Sequence, residues 1–162
     1  MKANERAILK SLFLQPVASL ATLHGGEPAI SMVPFALLPG STGFVIHVSG
    51  LASHTRDMLD RPAVALLMTA PADAADTPLA LPRASVQGEA RRCDADSAEY
   101  QAARAAYLAK LPDAEELFSF RDFSLFVIAP RTVRFVAGFG RAMTLTAGQL
   151  AELMSDDAAA DA

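Results

Sequence analysis

The chain of 162 residues is poor in cysteine and lysine, has no tryptophan and lacks a long apolar run. Its single cysteine, Cys93, excludes an internal disulfide and a metal site built from cysteines, which fits a reducing cytoplasm. No stretch of about 18 apolar residues is present, so no membrane span is expected. The net charge of −4 and the pI near 5.3 argue against the clustered basic surface that nucleic acids require. We therefore expect a cytoplasmic protein that binds neither membranes nor nucleic acids.

Hydrophobic residues make up 52 % of the chain and charged residues 20 %, a composition typical of a compact globular protein. A chain of this length is expected to bury one hydrophobic core. We expect one domain over residues 1–154 and a flexible acidic tail over 155–162, with the sequence "SDDAAADA".

Short apolar segments separated by glycine and proline predict a mainly β (α+β) fold, an antiparallel barrel of about six strands with short flanking helices. Helices are predicted over 4–14, 51–59 and 96–110, and again after Thr146. The pairs Asp96 with Glu99 and Thr146 with Gln149 have the spacing of capping boxes. The last apolar segment contains Pro130, which leaves one strand or two open there. The predicted strands cover 17–23, 29–38, 44–48, 63–69, 82–93 and 123–138.

The segment "SGLASHTRDMLDRP" (49–62) concentrates hydroxyl groups, a histidine and an arginine directly after an apolar strand. On a helix, Ser53 and Arg56 share one face, and together with the free N–H groups of a helix N-terminus they suit a phosphate. The spacing by itself favours the alternative that Ser49 or Ser53 caps the helix and Arg56 is solvated. Asp57 and Arg61 are four residues apart and are expected to pair weakly. The face of this predicted helix that packs on the core carries Leu51, Thr55, Met58 and Leu59. The hydroxyl of Thr55 would then be buried and would need a hydrogen-bond partner.

Other polar features of the sequence give weaker signals. The segment "GFGRA" (138–142) lets backbone approach a ligand beside Arg141, although a tight turn with a surface arginine is the simpler interpretation. His24, His47 and His54 do not have the spacing of a metal motif. His24 is expected to be exposed in a turn. Alternation places His47 opposite Ile46 and Val48, where a hydrogen-bonded or solvent-facing ring is expected. No motif for a nucleophile is present, and no metal site is predicted.

Four ordered segments of the sequence carry a family resemblance: "ASLATLHGGEPAISMVPFAL", "FVIHVSGLASHTRDMLDRPAVALLMTAP", "PRASVQGEARR" and "VRFVAGFGRA". Together they resemble the FMN-binding split-barrel family, the superfamily of pyridoxamine 5′-phosphate oxidase. The motifs "S-x-L-A-x-H-T-R" and "GFGRA" are most similar to those of the haem-utilisation branch of this family. The resemblance implies a six-stranded split barrel and a homodimer with two FMN sites at the subunit interface.

The resemblance also implies roles for individual residues of this chain. Ser31, Met32, Val33 and Pro34 would line the flavin. Ser49, Ser53, His54, Thr55 and Arg56 would surround its phosphate. Arg83 and Gln87 would approach the flavin from across the dimer, with Phe139 and Arg141 as further contributors.

Departures from the family pattern separate three functional hypotheses. The oxidase carries basic residues where this chain has Ser31, and adjacent arginine and lysine where it has His54 and Thr55, so oxidation of pyridoxamine phosphate is not expected. The first hypothesis is an FMN-dependent oxidoreductase of unknown substrate. The second is a haem-binding or haem-degrading protein; haem-binding members use histidines, one of them near the C-terminus, and no histidine follows His54. The third is a flavin-binding module without catalysis.

Overall fold

The computed structural model describes residues 1–155, which form one antiparallel sheet with helices packed against it. Ser155 of the predicted tail is the last residue of a helix, and residues 156–162 lie outside the described range. The strands are β1 (Val17–His24), β2 (Glu27–Pro34), β3 (Ala36–Leu37), β4 (Phe44–Ser49), β5 (Ala63–Thr69), β6 (Arg83–Arg92), β7 (Phe123–Gly138) and β8 (Arg141–Thr146). The helices are α1 (Ala3–Phe13), α2 (Ser53–Asp60), α3 (Ala98–Lys110) and α4 (Ala147–Ser155), with a 3₁₀ helix at Pro112–Ser119 and shorter ones at Pro39–Ser41, Ala72–Ala74 and Pro78–Ala80.

The strand order is β2-β1-β5-β6-β7-β4-β3, and β8 pairs with β7. The fold class is therefore confirmed, whereas the sheet has eight strands rather than six. The predicted strand over 29–38 divides at Phe35 into β2 and the two-residue β3. The second additional strand is β8, which follows the "GFG" turn. Strand β3 has only two residues, and β8, although as long as β4, buries only Leu145, so the pattern of apolar residues did not mark either strand.

The long strand β7 runs through Pro130 without a break. Its register against β6 shifts at one point: Gln87 is opposite Thr132, but the next residue, Gly88, is opposite Pro130. Arg131 is therefore an extra residue on β7, which makes a β-bulge. Gly88 permits this close approach, because a Cβ there would lie 2.4 Å from the carbonyl oxygen of Ala129. The first half of β7 pairs with β4 and the second half with β8.

Two hydrophobic clusters lie on opposite faces of the sheet. The main core fills the barrel with alternate side chains of the strands, for example Leu20, Ile46 and Phe126, and α1 and α4 close it. The second cluster covers the outer face of β4 and the first half of β7, beneath α3 and the 3₁₀ helix Pro112–Ser119. The outer face of β2, β1 and β5 has no such cover among the described residues, a difference that the site below depends on.

The N-terminal hydrogen bonds of α3 and α4 show whether the two predicted capping boxes form. Thr146 and Gln149 form the predicted box, with Thr146 N donating to Gln149 Oε1 at 2.9 Å and Gln149 N donating to Thr146 Oγ1 at 3.2 Å. The Asp96 box is wrong, because Ser97 caps α3 and accepts from Tyr100 N. Glu99 is held instead by Arg91 through two short hydrogen bonds.

His47 lies within the second cluster and is buried, so the prediction of a hydrogen-bonded or solvent-facing ring is wrong. Alternation did place it opposite Ile46 and Val48, but α3 and the 3₁₀ helix cover that face. Its ring stacks on Phe118 with centroids 3.9 Å apart, close to Tyr107 and Phe123, and Nδ1 has no hydrogen-bond partner among the described residues. Burial lowers the pKa of His47 to about 4.

This buried histidine predicts a pH dependence of stability. The folded protein keeps His47 neutral, whereas the unfolded chain binds a proton at this histidine below pH 6.5. The contribution of neutral His47 to the free energy of unfolding is therefore complete above that pH and is lost as the pH falls toward about 4. We expect His47 to lower the free energy of unfolding by about 2 kcal/mol between pH 7.5 and pH 5. Urea denaturation of wild type and His47→Phe across this range measures the difference, since the variant keeps the aromatic stack. Parallel curves for the two proteins would contradict it.

Candidate functional site

The turn from β4 into α2 is held by a compact set of hydrogen bonds. The hydroxyl of Ser49 donates to Oδ2 of Asp122 at 2.6 Å and accepts from Leu51 N at 3.1 Å. Gly50 N donates to the carbonyl oxygen of Asp122 at 2.6 Å. The buried hydroxyl of Thr55 donates to the carbonyl oxygen of Ser49 at 2.6 Å, which confirms that Thr55 faces inward and has a partner. Asp122, immediately before β7, therefore fixes where α2 starts.

The helix itself begins at Ser53 rather than Leu51, and its buried residues are Thr55, Asp57 and Met58. Met58 and Thr55 are buried as expected, but Leu51 is 82 % exposed and Leu59 is 55 % exposed, so their assignment to the core is wrong. Leu51 lies in the turn before the helix, where helical spacing does not apply. Asp57 takes a place on the buried face that faces β1 and β6.

Asp57 is a buried carboxylate that ties α2 to β1. Its Oδ2 accepts from Thr22 Oγ1 at 2.9 Å, and its Oδ1 lies 2.7 Å from Nδ1 of His24. The hydrogen bond with His24 lowers the pKa of Asp57 more than burial raises it, and the bond from Thr22 lowers it further. An ionised carboxylate only accepts, so Nδ1 of His24 carries a proton. The predicted pair of Asp57 with Arg61 is wrong, since Arg61 lies 3.7 Å from Asp60 instead.

The first turn of α2 is open to a ligand. Ala52, the residue at the N-cap, makes no side-chain hydrogen bond, so neither Ser49 nor Ser53 caps the helix. The first N–H groups of a helix have no acceptor within it, and the positive end of the dipole lies there. Ser53 and Arg56 are exposed, and Arg56 makes no ion pair or hydrogen bond within residues 1–155. His54 is half-buried, and desolvation lowers its pKa although Asp57 acts in the opposite direction.

Strand β2 stands at one end of the strand order, so one of its edges has no β partner among the described strands. Its side chains alternate: Met32, which is 62 % exposed, and Pro34 lie on the outer face, whereas Val33 is buried. The hydroxyl of Ser31 is buried and makes no hydrogen bond within the described chain. A buried hydroxyl without a partner is costly, and here it lies on a strand with a free edge.

The remaining predicted residues lie on β6 and the β7–β8 hairpin. Nη1 of Arg83 donates to the carbonyl oxygen of Leu81 at 2.9 Å, and Oε1 of Gln87 accepts from Thr132 at 3.2 Å. At the hairpin, Nη2 of Arg141 donates to the carbonyl oxygen of Ala137 at 3.2 Å, and Phe139 is 76 % exposed.

The predicted site residues thus form two separate groups within one chain. The β2–α2 group comprises Ser31 to Pro34 with the turn and first residues of α2, and the hairpin group comprises Arg83, Gln87, Phe139 and Arg141. Strands β1 and β5 lie between β2 and β6. Three interstrand steps of about 4.8 Å put the two strands about 14 Å apart along the sheet. Within one copy, two strands therefore separate β2 from β6, although α2 itself packs against β6.

Sequence reasoning missed three residues that lie beside these groups. Asp57 carried no signal, since it lies about 160° around the helix from Thr55, and it is the packing of α2 against both β1 and β6 that buries it. Asp122 carried none, since its partner Ser49 is 73 positions away in the chain. Arg134 alternates with Val133 and Phe135, which are buried, so its outward position could have been predicted.

The described chain contains no group of three or more His, Cys, Asp or Glu side chains that could hold a metal ion. Nor does any described helix combine the length and apolar character that crossing a membrane requires.

Comparisons with known proteins give the relationships of the chain. The sequence pattern described as pyridoxamine 5′-phosphate oxidase matches residues 2–137. A heme binding protein from Mycobacterium smegmatis is 34 % identical with a TM-score of 0.82, over 94 % of this chain and 61 % of that one. "Non-canonical heme oxygenase HOZ, chloroplastic" from Arabidopsis thaliana is 34 % identical over 139 residues, 85 % of this chain and 40 % of the relative. The chain thus spans less than two thirds of the length of either protein.

ChuZ from Campylobacter jejuni has the same fold, with a TM-score of 0.79 at 19 % identity over 92 % of this chain and 62 % of that one. The resemblance read from the four sequence segments is confirmed by these matches, including its similarity to proteins of haem utilisation. The chain belongs to the pyridoxamine 5′-phosphate oxidase family.

Proposed function

We propose that the protein is an FMN-binding oxidoreductase that works as a homodimer with FMN at the subunit interface. The observation that carries this proposal is the buried hydroxyl of Ser31, which has no partner within the described chain. It lies on the edge strand β2, where the family resemblance puts the flavin, and a ring nitrogen or carbonyl of FMN would satisfy it. The free edge of β2 also offers backbone N–H groups at Met32 and Val33 for the ring.

The FMN phosphate fits the open first turn of α2. Arg56 supplies a guanidinium that no carboxylate of the described chain neutralises, and Ser53 supplies a hydroxyl beside it. The uncapped N–H groups of the helix add further donors. Ser49 and Thr55 act differently, because their hydroxyls donate to Asp122 and to the Ser49 carbonyl and so shape the turn. His54, kept neutral by its lowered pKa, borders the phosphate without adding charge.

The outer face of the sheet supports the proposed homodimer. Val17, Ile30, Met32 and Leu67 are large apolar residues that stay exposed on β1, β2 and β5. Met32 pairs with Ser19 and Ser19 with Leu67, so these side chains form one continuous patch across neighbouring strands. A second copy packed on this patch would bury it. Two-fold symmetry would then bring the hairpin group of each copy toward the β2–α2 group of the other, whereas β2 and β6 of a single copy are about 14 Å apart along the sheet.

Bound FMN would supply hydride or electron transfer, while the chain holds and orients the cofactor. Ser31 and the edge of β2 would fix the ring, Arg56 and Ser53 the phosphate, and the apolar patch would exclude water from the flavin once a second copy covers it. The chemistry proposed here is that of the flavin alone, and the residues named above hold and orient it.

The role of Arg56 gives the first test of this function. We expect Arg56→Ala to weaken FMN binding by about 2 kcal/mol, or about 30-fold in Kd, because a charge-assisted phosphate contact is lost. Titration of FMN followed by quenching of its fluorescence measures Kd for wild type and variant. Arg61→Ala removes the same charge just beyond the C-terminal end of α2 and should bind FMN like wild type. Equal affinities for all three proteins would contradict the assignment of the phosphate.

A second candidate function is haem binding, which the pair of His24 and Asp57 favours. The carboxylate of Asp57 accepts from Nδ1 of His24, and the imidazole is 66 % exposed, so Nε2 is left for a ligand. A histidine whose second nitrogen is oriented by a carboxylate is the usual arrangement of a metal-binding imidazole. The names of the Mycobacterium smegmatis and Arabidopsis relatives, a heme binding protein and a heme oxygenase, support this candidate.

Haem titration distinguishes this second function. If His24 binds haem iron, hemin added to the purified protein shifts the Soret band, and His24→Ala abolishes the shift because the axial nitrogen is gone. Asp57→Asn should weaken it, since the imidazole loses its orienting carboxylate. His54→Ala serves as the matched control and should keep the shift. A Soret shift that survives in His24→Ala, or no shift in wild type, would rule out His24 as the ligand.

A further inference from the structure

A cleft of about 300 Å³ opens between β6, the β7–β8 hairpin and the 3₁₀ helix Pro78–Ala80. We call it the hairpin cleft. No aspartate or glutamate lines it, although the chain as a whole carries a net charge of −4. Its polar lining is dominated by the arginines Arg83, Arg134 and Arg141, and its apolar lining includes Leu79, Val136 and Phe139.

The pairing of the strands brings the three arginines together. Arg134 on β7 lies opposite Ser85 of β6 and Thr144 of β8. Arg83, two residues before Ser85, shares the outer face with it, because the intervening Ala84 is buried. Arg141 begins β8 at the end of the hairpin, opposite Gly138.

Backbone contacts hold two of these guanidinium groups in place. Arg83 donates to the carbonyl oxygen of Leu81, and Arg141 donates to that of Ala137. The guanidinium of Arg141 lies against Gly138, where a Cβ would be 3.0 Å from Nη2, so glycine makes room for this position. Each arginine keeps further N–H donors in a rigid fork suited to an oxyanion.

None of the three arginines pairs with a carboxylate within residues 1–155, a property that they share with Arg56, Arg92 and Arg121, but only these three line one cleft together. Arg91 pairs with Glu99 at the start of α3, and Arg131 pairs with Glu89 on the neighbouring strand. Positive charges gathered without a counterion repel one another, and this cost is removed when an anion binds between them. The arrangement is that of a binding site rather than a stabilising ion-pair network.

We propose that the hairpin cleft binds a small organic dianion, with carboxylate or phosphate groups on the three arginines and its apolar part against Phe139. The exposed ring of Phe139 gives the cleft a flat apolar wall beside its charged floor. The position of this ligand beside a flavin of the partner copy, as the molecule that the flavin acts on, rests on the proposed function. Binding of the anion to the cleft does not need FMN.

Arg134 is the residue that tests the proposal, because it belongs to the cleft and to no part of the proposed FMN site. Isothermal titration calorimetry at constant ionic strength measures binding of pyrophosphate, a phosphate probe, and of phthalate, a planar dicarboxylate. We expect at least one probe to bind once per chain and Arg134→Gln to weaken that binding tenfold or more. Arg92→Gln removes the same charge at the far end of β6 and should leave the affinity unchanged. The probe that binds identifies the chemistry of the ligand.

Separate readouts keep this proposal distinct from FMN binding. Arg134→Gln should keep the FMN affinity of wild type, whereas Arg56→Ala should keep the affinity for the anion. If no FMN binds but the anion does, the cleft stands and the flavin function fails. Absence of binding by both probes, or equal weakening in Arg134→Gln and Arg92→Gln, would overturn the cleft. Arg141→Lys, which keeps the charge but loses the fork, provides a second variant should Arg134→Gln fold poorly, and it should also weaken binding.

Discussion

Strand β7 pairs with β6 through most of its length, with β4 over its first half and with β8 over its second, and both groups of site residues depend on these pairings. Directly before its first half, Asp122 holds the turn that starts α2. Its second half carries Arg134 and forms the hairpin that presents Phe139 and Arg141. The bulge opposite Gly88 allows one strand to serve two different neighbours. A shift of register there would move both groups at once.

Some polar groups of the described chain have a hydrogen-bond or ion-pair partner within it, and others have none. Asp57 is buried but holds Thr22 and His24, so it fastens α2 to β1 at little cost. Within the described chain the Ser31 hydroxyl has no hydrogen-bond partner. Arg56 and the three arginines of the hairpin cleft have no carboxylate partner there. Their distribution links the fold to binding, because each unsatisfied group lies on the outer sheet face, at its edge or at the open start of α2.

Local chemistry in the sequence was sufficient for the fold class, the inward hydroxyl of Thr55 and the Thr146–Gln149 cap. It failed where a tertiary contact changed the local rule. Leu51 was placed in the core because the helix was started two residues early, Leu59 lies in the exposed C-terminal end of α2, and His47 was misjudged because α3 covers the outer face of β4. The separation of Arg83 from Ser31 depends on the strand order, in which β1 and β5 intervene. No spacing of residues along the chain encodes that order.

We propose that FMN is held between two copies of the sheet, because β1 and β5 separate β2 from β6 within each copy. Native mass spectrometry of the purified protein after incubation with FMN tests this claim most directly, because it reports subunit and cofactor number together. The account predicts a species with the mass of two 17.1 kDa chains and two FMN molecules. A monomer that retains FMN, or a dimer that never takes it up, would contradict it.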